Sequence, residues 1–286
     1  MADNGQFICF NGKMIPATSP SLFHNNRGFC YGDALFETIH ANGTRIQFFT
    51  EHYRRITTHL SLLKIKPPRF FGPQNLEEAM TKLLNKNRIL KGARLRLSVF
   101  RNSGGYYTPQ TNESSYLITA TPLEEDLYTL NKKGLKIDIF RDIHKPLNRF
   151  SNMKTANSLL YIMAGIKKSE NGVDDMILVN EKGNLCEGIA SNLFLVKGKE
   201  IFTPPLGDGC VEGVMRGQLI RIAAENGFFC REKSLVENDL KEADEIFLSN
   251  AVKGITWVVA WKQKRYYKKI SVMLTEALNK EQFPDT

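Results

Sequence analysis

Gly213 stands directly ahead of a stretch whose spacing predicts a helix from 214 to 226, closed by Gly227 at the position just past the helix end. The first N–H groups of such a helix point outward without partners, and the helix dipole favours an anion there. Gly213, Val214 and Met215 are therefore candidate anion ligands, with the glycine permitting close approach. Other reactive residue types carry less. The five cysteines, Cys9, Cys30, Cys186, Cys210 and Cys230, form no CxxC pair and read as free thiols. His24, His40, His59 and His144 lack metal-like spacing and read as structural, so no metal is expected. The net charge of +9, from 39 Lys and Arg against 30 Asp and Glu, is compatible with nucleic acid or with an anionic small molecule. Much of it lies in short clusters such as Lys262, Lys264, Arg265, Lys268 and Lys269. No zinc finger, RNP-like strand or long basic tail accompanies it, so the charge reads as a solvated surface and no nucleic-acid partner is expected.

The elements that must position such groups alternate between strand and helix patterns. Phe7, Cys9 and Phe10 lead into an Asn11-Gly12 turn, and strands over 35–40 and 46–49 flank an Asn42-Gly43 hairpin signal. Thr50 is placed to cap a helix with Tyr53, Ile56, Leu60 and Leu63 on its apolar face and His52, Arg54, Arg55 and His59 opposite. Asn75 is placed to cap a second, with Ala79, Leu83 and Leu84 apolar. Ala93, Leu95, Leu97 and Val99 alternate with Arg94, Arg96 and Ser98, which predicts a strand with one buried face. Another strand covers 116–121. The polar stretch 124–133 reads as a linker. Beyond it come a strand at 135–140, a helix after Lys154 through Leu159, Leu160, Met163 and Ile166, and short strands at 176–179, 193–196, 201–202 and 245–248. With 42% hydrophobic residues the chain can fill two cores. The expectation is an α+β protein of two domains, 1–123 and 134–286, with a cleft between them. No run is apolar or long enough to span a bilayer, and Met1 to Gly5 show no basic segment before an apolar one, so a soluble cytoplasmic protein is expected.

Several segments in order resemble one family, the class IV aminotransferases of pyridoxal-phosphate (PLP) fold type IV. They begin with Arg27-Gly28-Phe29-Cys30-Tyr31-Gly32-Asp33-Ala34-Leu35-Phe36-Glu37-Thr38 and His52-Tyr53-Arg54-Arg55-Ile56. Lys154 follows, then Cys186-Glu187-Gly188-Ile189-Ala190-Ser191-Asn192-Leu193-Phe194. Phe202-Thr203-Pro204-Pro205-Leu206, Glu212-Gly213-Val214-Met215-Arg216 and Ala243-Asp244-Glu245-Ile246-Phe247-Leu248-Ser249-Asn250-Ala251 complete the set. Each is weak alone, but together they cover 11–259 in the family's order. The resemblance implies that Lys154 carries PLP as a Schiff base and shuttles protons. It implies that Glu187 sits beside the pyridine nitrogen and raises its basicity. Arg55 matches the family's phosphate arginine, a guanidinium being suited to that group. Ser191 and Asn192 match cofactor-binding positions, and Ser249, Asn250 and Ala251 resemble a second phosphate loop beside the one at Gly213, Val214 and Met215. Tyr31, Phe36 and Glu37 are placed as pocket walls and Arg96 as a site for a substrate carboxylate. Phe36 serves equally as strand packing, and Arg96 as a solvated strand face. Relatives are homodimers, so a homodimer is expected.

The family contains branched-chain and D-amino-acid aminotransferases and 4-amino-4-deoxychorismate lyases. Three features lean toward the lyase. Lys154-Thr155-Ala156-Asn157-Ser158-Leu159 looks like the lyases' K-x-x-N-x-L, with Ser158 where branched-chain enzymes usually carry tyrosine. Ser249-Asn250-Ala251 resembles their N-[AS] loop, and Arg101-Asn102-Ser103-Gly104-Gly105-Tyr106 their Gly-Gly turn. Tyr106 and Tyr107 depart from the pattern, since some lyases place an arginine after that turn. A lyase releasing pyruvate and 4-aminobenzoate in folate synthesis, acting on a small amine with carboxylates, is the expected activity, with an aminotransferase acting on branched-chain or D-amino acids as the alternative and a non-catalytic PLP- or nucleic-acid-binding protein as a remote one.

Overall fold

The structure is a computed structural model that describes residues 6–19 and 24–284. The expectation about Met1 to Gly5 lies outside the described residues. The contacts divide the chain into two units. One comprises the described residues up to Leu127 together with Lys154–Asn157; the other comprises Tyr128–Met153 and the described residues from Ser158 onward.

The N-terminal unit holds β1 (Phe7–Phe10), β2 (Lys13–Pro16), α1 (Arg27–Tyr31), β3 (Ala34–Asn42), β4 (Arg45–Ile46), α2 (Phe49–Leu62), α3 (Pro73–Lys86), β5 (Gly92–Arg101) and β6 (Ser114–Pro122). Its sheet runs β2-β1-β6-β5-β3-β4 with every neighbour antiparallel. Asn11 and Gly12 turn the first hairpin with φ of 47° and 82°, the two positive values of a mirror-image turn. On β5 the alternation holds: Ala93, Leu95, Leu97 and Val99 are buried, and Leu35, Glu37 and Ile39 of β3 lie opposite Val99, Leu97 and Leu95. That face is covered by helices, α2 on β3 and α3 on β1 and β6. Phe36 and Thr38 point to the other face, opposite Ser98 and Arg96.

Two expectations here are corrected. The α2 helix begins at Phe49 after Phe48, without a side-chain cap from Thr50, and α3 begins with Pro73 at its first turn instead of being capped by Asn75. His52, Arg55 and His59, placed opposite the apolar face of α2, are buried together with Ile56 and Leu60.

The C-terminal unit holds β7 (Leu135–Lys145), α4 (Leu159–Glu170), β8 (Asp175–Asn180), β9 (Leu185–Gly188), β10 (Asn192–Lys197), β11 (Glu200–Thr203), α5 (Val214–Glu225), β12 (Phe229–Glu232), α6 (Glu237–Glu242), β13 (Glu245–Asn250), β14 (Gly254–Trp261), β15 (Lys264–Arg265) and α7 (Ile270–Gln282). Its sheet runs β12-β11-β10-β13-β14-β7-β8-β9, with β15 on β14. A further pairing of β9 with β10, Glu187 opposite Asn192, closes a ring through β13, β14, β7 and β8. The ring encloses Ile137, Ile177, Leu193, Ile246, Leu248 and Val258. Helix α4 is the crossover between the parallel strands β7 and β8, and Ala164 packs with Phe140, Met176 and Leu178. Leu160 and Tyr161 pack against that cluster, whereas Leu159, Ile162, Met163 and Ile166 are exposed, Leu159 by 77%.

The polar stretch 124–133 is anchored at several points. In the N-terminal unit Asp126 Oδ1 accepts from the Gly92 amide at 2.9 Å. In the C-terminal unit Tyr128 is buried, exchanging backbone hydrogen bonds with the Asn279 side chain at 3.1 and 2.7 Å. Residues 154–157, read as part of the second domain, attach to β3. The Phe36 amide donates to Lys154 O at 3.0 Å and the Ala156 amide to Ala34 O at 2.9 Å.

Phe194 and Phe247 stack in the C-terminal core with centroids 4.9 Å apart. Phe247→Ala is expected to lower stability by about 3–5 kcal/mol. Phe229→Ala, at a residue 65% exposed, should stay within about 0.5 kcal/mol. Urea unfolding of both variants measures the contrast.

Candidate active site

In the N-terminal unit the pairing of 154–156 with β3 places Lys154 beside Phe36. Its Nζ lies 4.4 Å from the Phe36 ring centroid, and the Arg96 guanidinium lies 3.9 Å from the same ring. Cations over an aromatic face are attracted by its quadrupole. Phe36 thus lies against two cationic side chains. Burial, then the neighbouring Arg94, pushes the Arg96 guanidinium below its ordinary value.

Across the sheet, Glu37 is buried and accepts from Arg55 Nε at 2.8 Å, from Arg55 Nη2, and from His52 Nδ1 at 2.6 Å. Arg55, the expected phosphate ligand, therefore has its Nε–Nη2 edge committed to Glu37. The sequence reading placed Glu37 only as a pocket wall and missed this partnership, although Glu37, His52 and Arg55 all stood inside quoted motifs.

Tyr31 ends α1, half exposed, with Arg27 over its ring at 4.9 Å and Tyr107 at 5.8 Å. Arg27 Nη1 donates to the carbonyls of Gly104, Gly105 and Tyr106 at 3.1, 3.1 and 2.7 Å. Its Nε shares Asp33 with Arg101, each at 2.9 Å. The Gly-Gly turn is thereby tied to the segment that carries Tyr31. Asn157 Nδ2 donates to Gly32 O at 3.2 Å, next to a glycine with φ of 66°.

In the C-terminal unit the ring closure sets Glu187, Asn192 and Ser249 in one row across β9, β10 and β13. Glu187 is buried. Its Oε1 accepts from Lys145 Nζ and from the Tyr161 hydroxyl at 2.8 Å, and its Oε2 from the Val211 amide at 2.8 Å. Burial first, then the Glu187 charge, pushes the Tyr161 phenol far up, so it remains a donor. Lys145 and Tyr161 were not foreseen.

Asn192 Nδ2 holds the Val211 carbonyl at 2.9 Å, and a Cβ at Gly213 would run into Asn192 Oδ1, so only glycine fits there. The α5 helix starts directly after it with no side-chain cap and packs against β13, where the Ser249 hydroxyl is buried without a hydrogen-bond partner. Val214 and Met215 form its first turn. Asn250 Oδ1 accepts from the amides of Val252 and Lys253 at 3.0 and 2.9 Å and shapes the turn holding Ala251. Ser191 is half-buried, between β9 and β10.

A family described as amino-transferase class IV matches residues 34–261. The chain is 26% identical to the branched-chain-amino-acid aminotransferase of Pseudomonas aeruginosa, over 90% of this chain and 85% of that one. It is 28% identical to the aminodeoxychorismate lyase of Bacillus subtilis, over 86% and 83% respectively. Among solved structures, the branched-chain amino acid aminotransferase of Escherichia coli superimposes with a TM-score of 0.88 at 22% identity, covering 99% of this chain and 96% of that one. At that identity the likeness concerns the fold.

The Glu37 cluster makes the N-terminal unit acid-sensitive. Burial alone would raise the Glu37 carboxyl, but Arg55 and the His52 hydrogen bond outweigh it and hold the group at about 2. Burial holds His52 below its ordinary 6.5, against the pull of Glu37. Both groups bind protons less readily folded than unfolded, so their stabilisation is complete above pH 6.5. It declines as pH falls below 6.5, declines further below the ordinary glutamate value of 4.5, and is lost near pH 2. Glu37→Gln, which takes the anion from a buried guanidinium, is expected to cost about 3–5 kcal/mol at neutral pH and to flatten this acid slope. Denaturant midpoints measured across pH for both proteins decide it.

Proposed function

The chain belongs to the class IV aminotransferase family, whose members are PLP enzymes, and from that premise we propose that it is a lyase acting on 4-amino-4-deoxychorismate. The C-terminal residues fit the cofactor. The α5 N-terminus opens behind a glycine cradle that any Cβ would fill, and the orphaned Ser249 hydroxyl lies on the strand α5 packs against. Together these suit a phosphate. Glu187 is a buried carboxylate with three donors, which leaves an acceptor site for a protonated ring nitrogen.

When bound, the cofactor supplies an aldehyde for the substrate amine and an electron sink for the charge left at carbon. The chain's own groups do the rest. The amides of Val214 and Met215 and the Ser249 hydroxyl hold the phosphate, and Arg55 adds a guanidinium whose Nε and Nη2 are steadied by Glu37. Glu187 holds the proton on the ring nitrogen. Lys154 would hold the cofactor's aldehyde, and its amine, once free, would remove the proton from the amine-bearing carbon of the substrate. Arg96 binds a substrate carboxylate. The C–O bond to the enolpyruvyl group breaks, the group takes up a proton as pyruvate, and the ring becomes 4-aminobenzoate.

The observation that carries this reading is the placement of Lys154 and Arg96 over one ring, Phe36, which sets the base for the amine-bearing carbon beside a guanidinium suited to a substrate carboxylate. The choice of the lyase is supported by Asn157 of the K-x-x-N-x-L segment, which is bonded to Gly32, and by the Gly104–Gly105 turn tied to Arg27. An aminotransferase for branched-chain or D-amino acids is the second reading, favoured by the names of relatives such as the Pseudomonas aeruginosa enzyme. Both readings share the use of Lys154. We also propose a homodimer. Leu159, Ile162, Met163 and Ile166 form a stripe at helical spacing on α4 that a second copy would cover.

PLP-loaded protein given aminodeoxychorismate without any keto acid is expected to release pyruvate and 4-aminobenzoate in equal amounts. Lys154→Ala should lower the rate by at least about a thousandfold. Loaded protein that releases neither product, yet transfers an amino group from a branched-chain or D-amino acid to a keto acid, replaces the lyase with the second reading.

A further inference from the structure

Lysine is almost never fully buried unless it is paired. Lys145 and Glu187 are each only 3% exposed. Lys145 ends β7 after four exposed residues, 141–144, and a register shift between Phe140 and Lys145 returns its side chain to the interior opposite Asn180. Its Nζ donates to Glu187 Oε1 and to the Tyr161 hydroxyl at 3.0 Å, lying 5.5 Å from that ring's centroid. Tyr161 donates to the same carboxylate oxygen, and the Val211 amide fixes the other. These contacts come from β7, α4 and the loop ahead of α5. Cys186 and Cys210 also face the carboxylate, with Asp208 behind Cys186 and with Arg216 and Glu232 acting on Cys210. Burial pushes both thiols well up, so neither supplies charge near neutral pH. Among the described residues, Lys145 is the cation bonded to Glu187.

We propose that Lys145 is the built-in counter-charge of Glu187, a positioning residue that fixes the carboxylate and tempers its hold on a protonated ring nitrogen of the cofactor. The inference rests on the cofactor reading above. A carboxylate offers about four acceptor sites, and three donors already occupy this one. A ring N–H arriving as the fourth meets an anion whose charge is partly spent on Lys145. Removing the ammonium leaves Glu187 to the nitrogen alone, and a nearby positive charge that disfavoured the ring's proton is gone.

The test reconstitutes wild-type protein, Lys145→Met and Lys145→Arg with PLP labelled at the ring nitrogen with 15N and follows its NMR shift with pH. The expected result is a deprotonation midpoint raised by about one pH unit or more in Lys145→Met, a tenfold change in the proton equilibrium, and restored in Lys145→Arg. A purely structural lysine would alter stability without moving that midpoint. A nitrogen that titrates alike in wild type and Lys145→Met, or stays protonated in both throughout the stable range, overturns the proposal. If Lys145→Met does not fold, Lys145→Gln, a donor without charge, carries the same test. Wild-type protein that takes up no cofactor would instead overturn the functional reading. The pair is then decided on the cofactor-free chain, where Lys145→Met combined with Glu187→Gln should unfold at a higher denaturant midpoint than the two single losses add to. Simple additivity overturns the counter-charge as well.

Discussion

Glu187 lies where water cannot solvate it, and an anion in that position must find its cation and donors within the protein or cease to be an anion. The C-terminal unit meets the demand by converging separate elements on one carboxylate. β7 brings Lys145, α4 brings Tyr161, and the loop before α5 brings the Val211 amide. That convergence needs the ring of strands to close, because Glu187 on β9 faces Asn192 on β10 only through the pairing that completes it. Asn192 in turn grips Val211 and leaves no room for a side chain at Gly213. Packing, charge pairing and the start of α5 are thus one linked arrangement, and a change at any member is felt by the others.

The N-terminal unit answers the same constraint differently. Glu37 faces the helix-covered side of its sheet with Leu35 and Ile39, so its partners come from α2 as His52 and Arg55. The same strand sends Phe36 to the opposite face, beneath Lys154 and Arg96. A strand alternates its side chains, so consecutive residues on β3 serve two purposes: one locks the helix to the sheet and the other carries cations. Moving β3 by one residue in register would exchange these faces and destroy both.

This explains what was legible in the chain and what was not. The alternation over residues 93–99 of β5 could be read because each buried residue there is apolar and each intervening one polar. The glycine-led start of α5 could be read because helix termini advertise an anion site locally. The burial of the polar side of α2 could not be read, because His52 and Arg55 are buried against a carboxylate at Glu37, and polarity alone cannot announce a buried pair. Lys145 was illegible for a stronger reason. Its partner lies 42 positions away and is reached only through a bulge and a closed ring of strands. Motif positions identified Lys154, Glu187 and Arg55 as residues of interest, but the identity of each one's neighbours is a property of the three-dimensional arrangement.

The residues around Lys154 bear on the choice between the two reactions more than the cofactor contacts do. Any member of the family needs a base, an electron sink and a phosphate site, so those features cannot discriminate. What differs is the environment of the segment that carries the lysine. Here Ser158 begins α4 without a side-chain cap, and the nearest phenol on that helix, Tyr161, is committed to Glu187. An aminotransferase must take a proton from one carbon and return it to another, whereas the lyase needs only removal followed by departure of a leaving group. The phenol, ammonium and amide gathered on Glu187 meet a need common to both reactions, so the choice between them rests on the segment that carries Lys154.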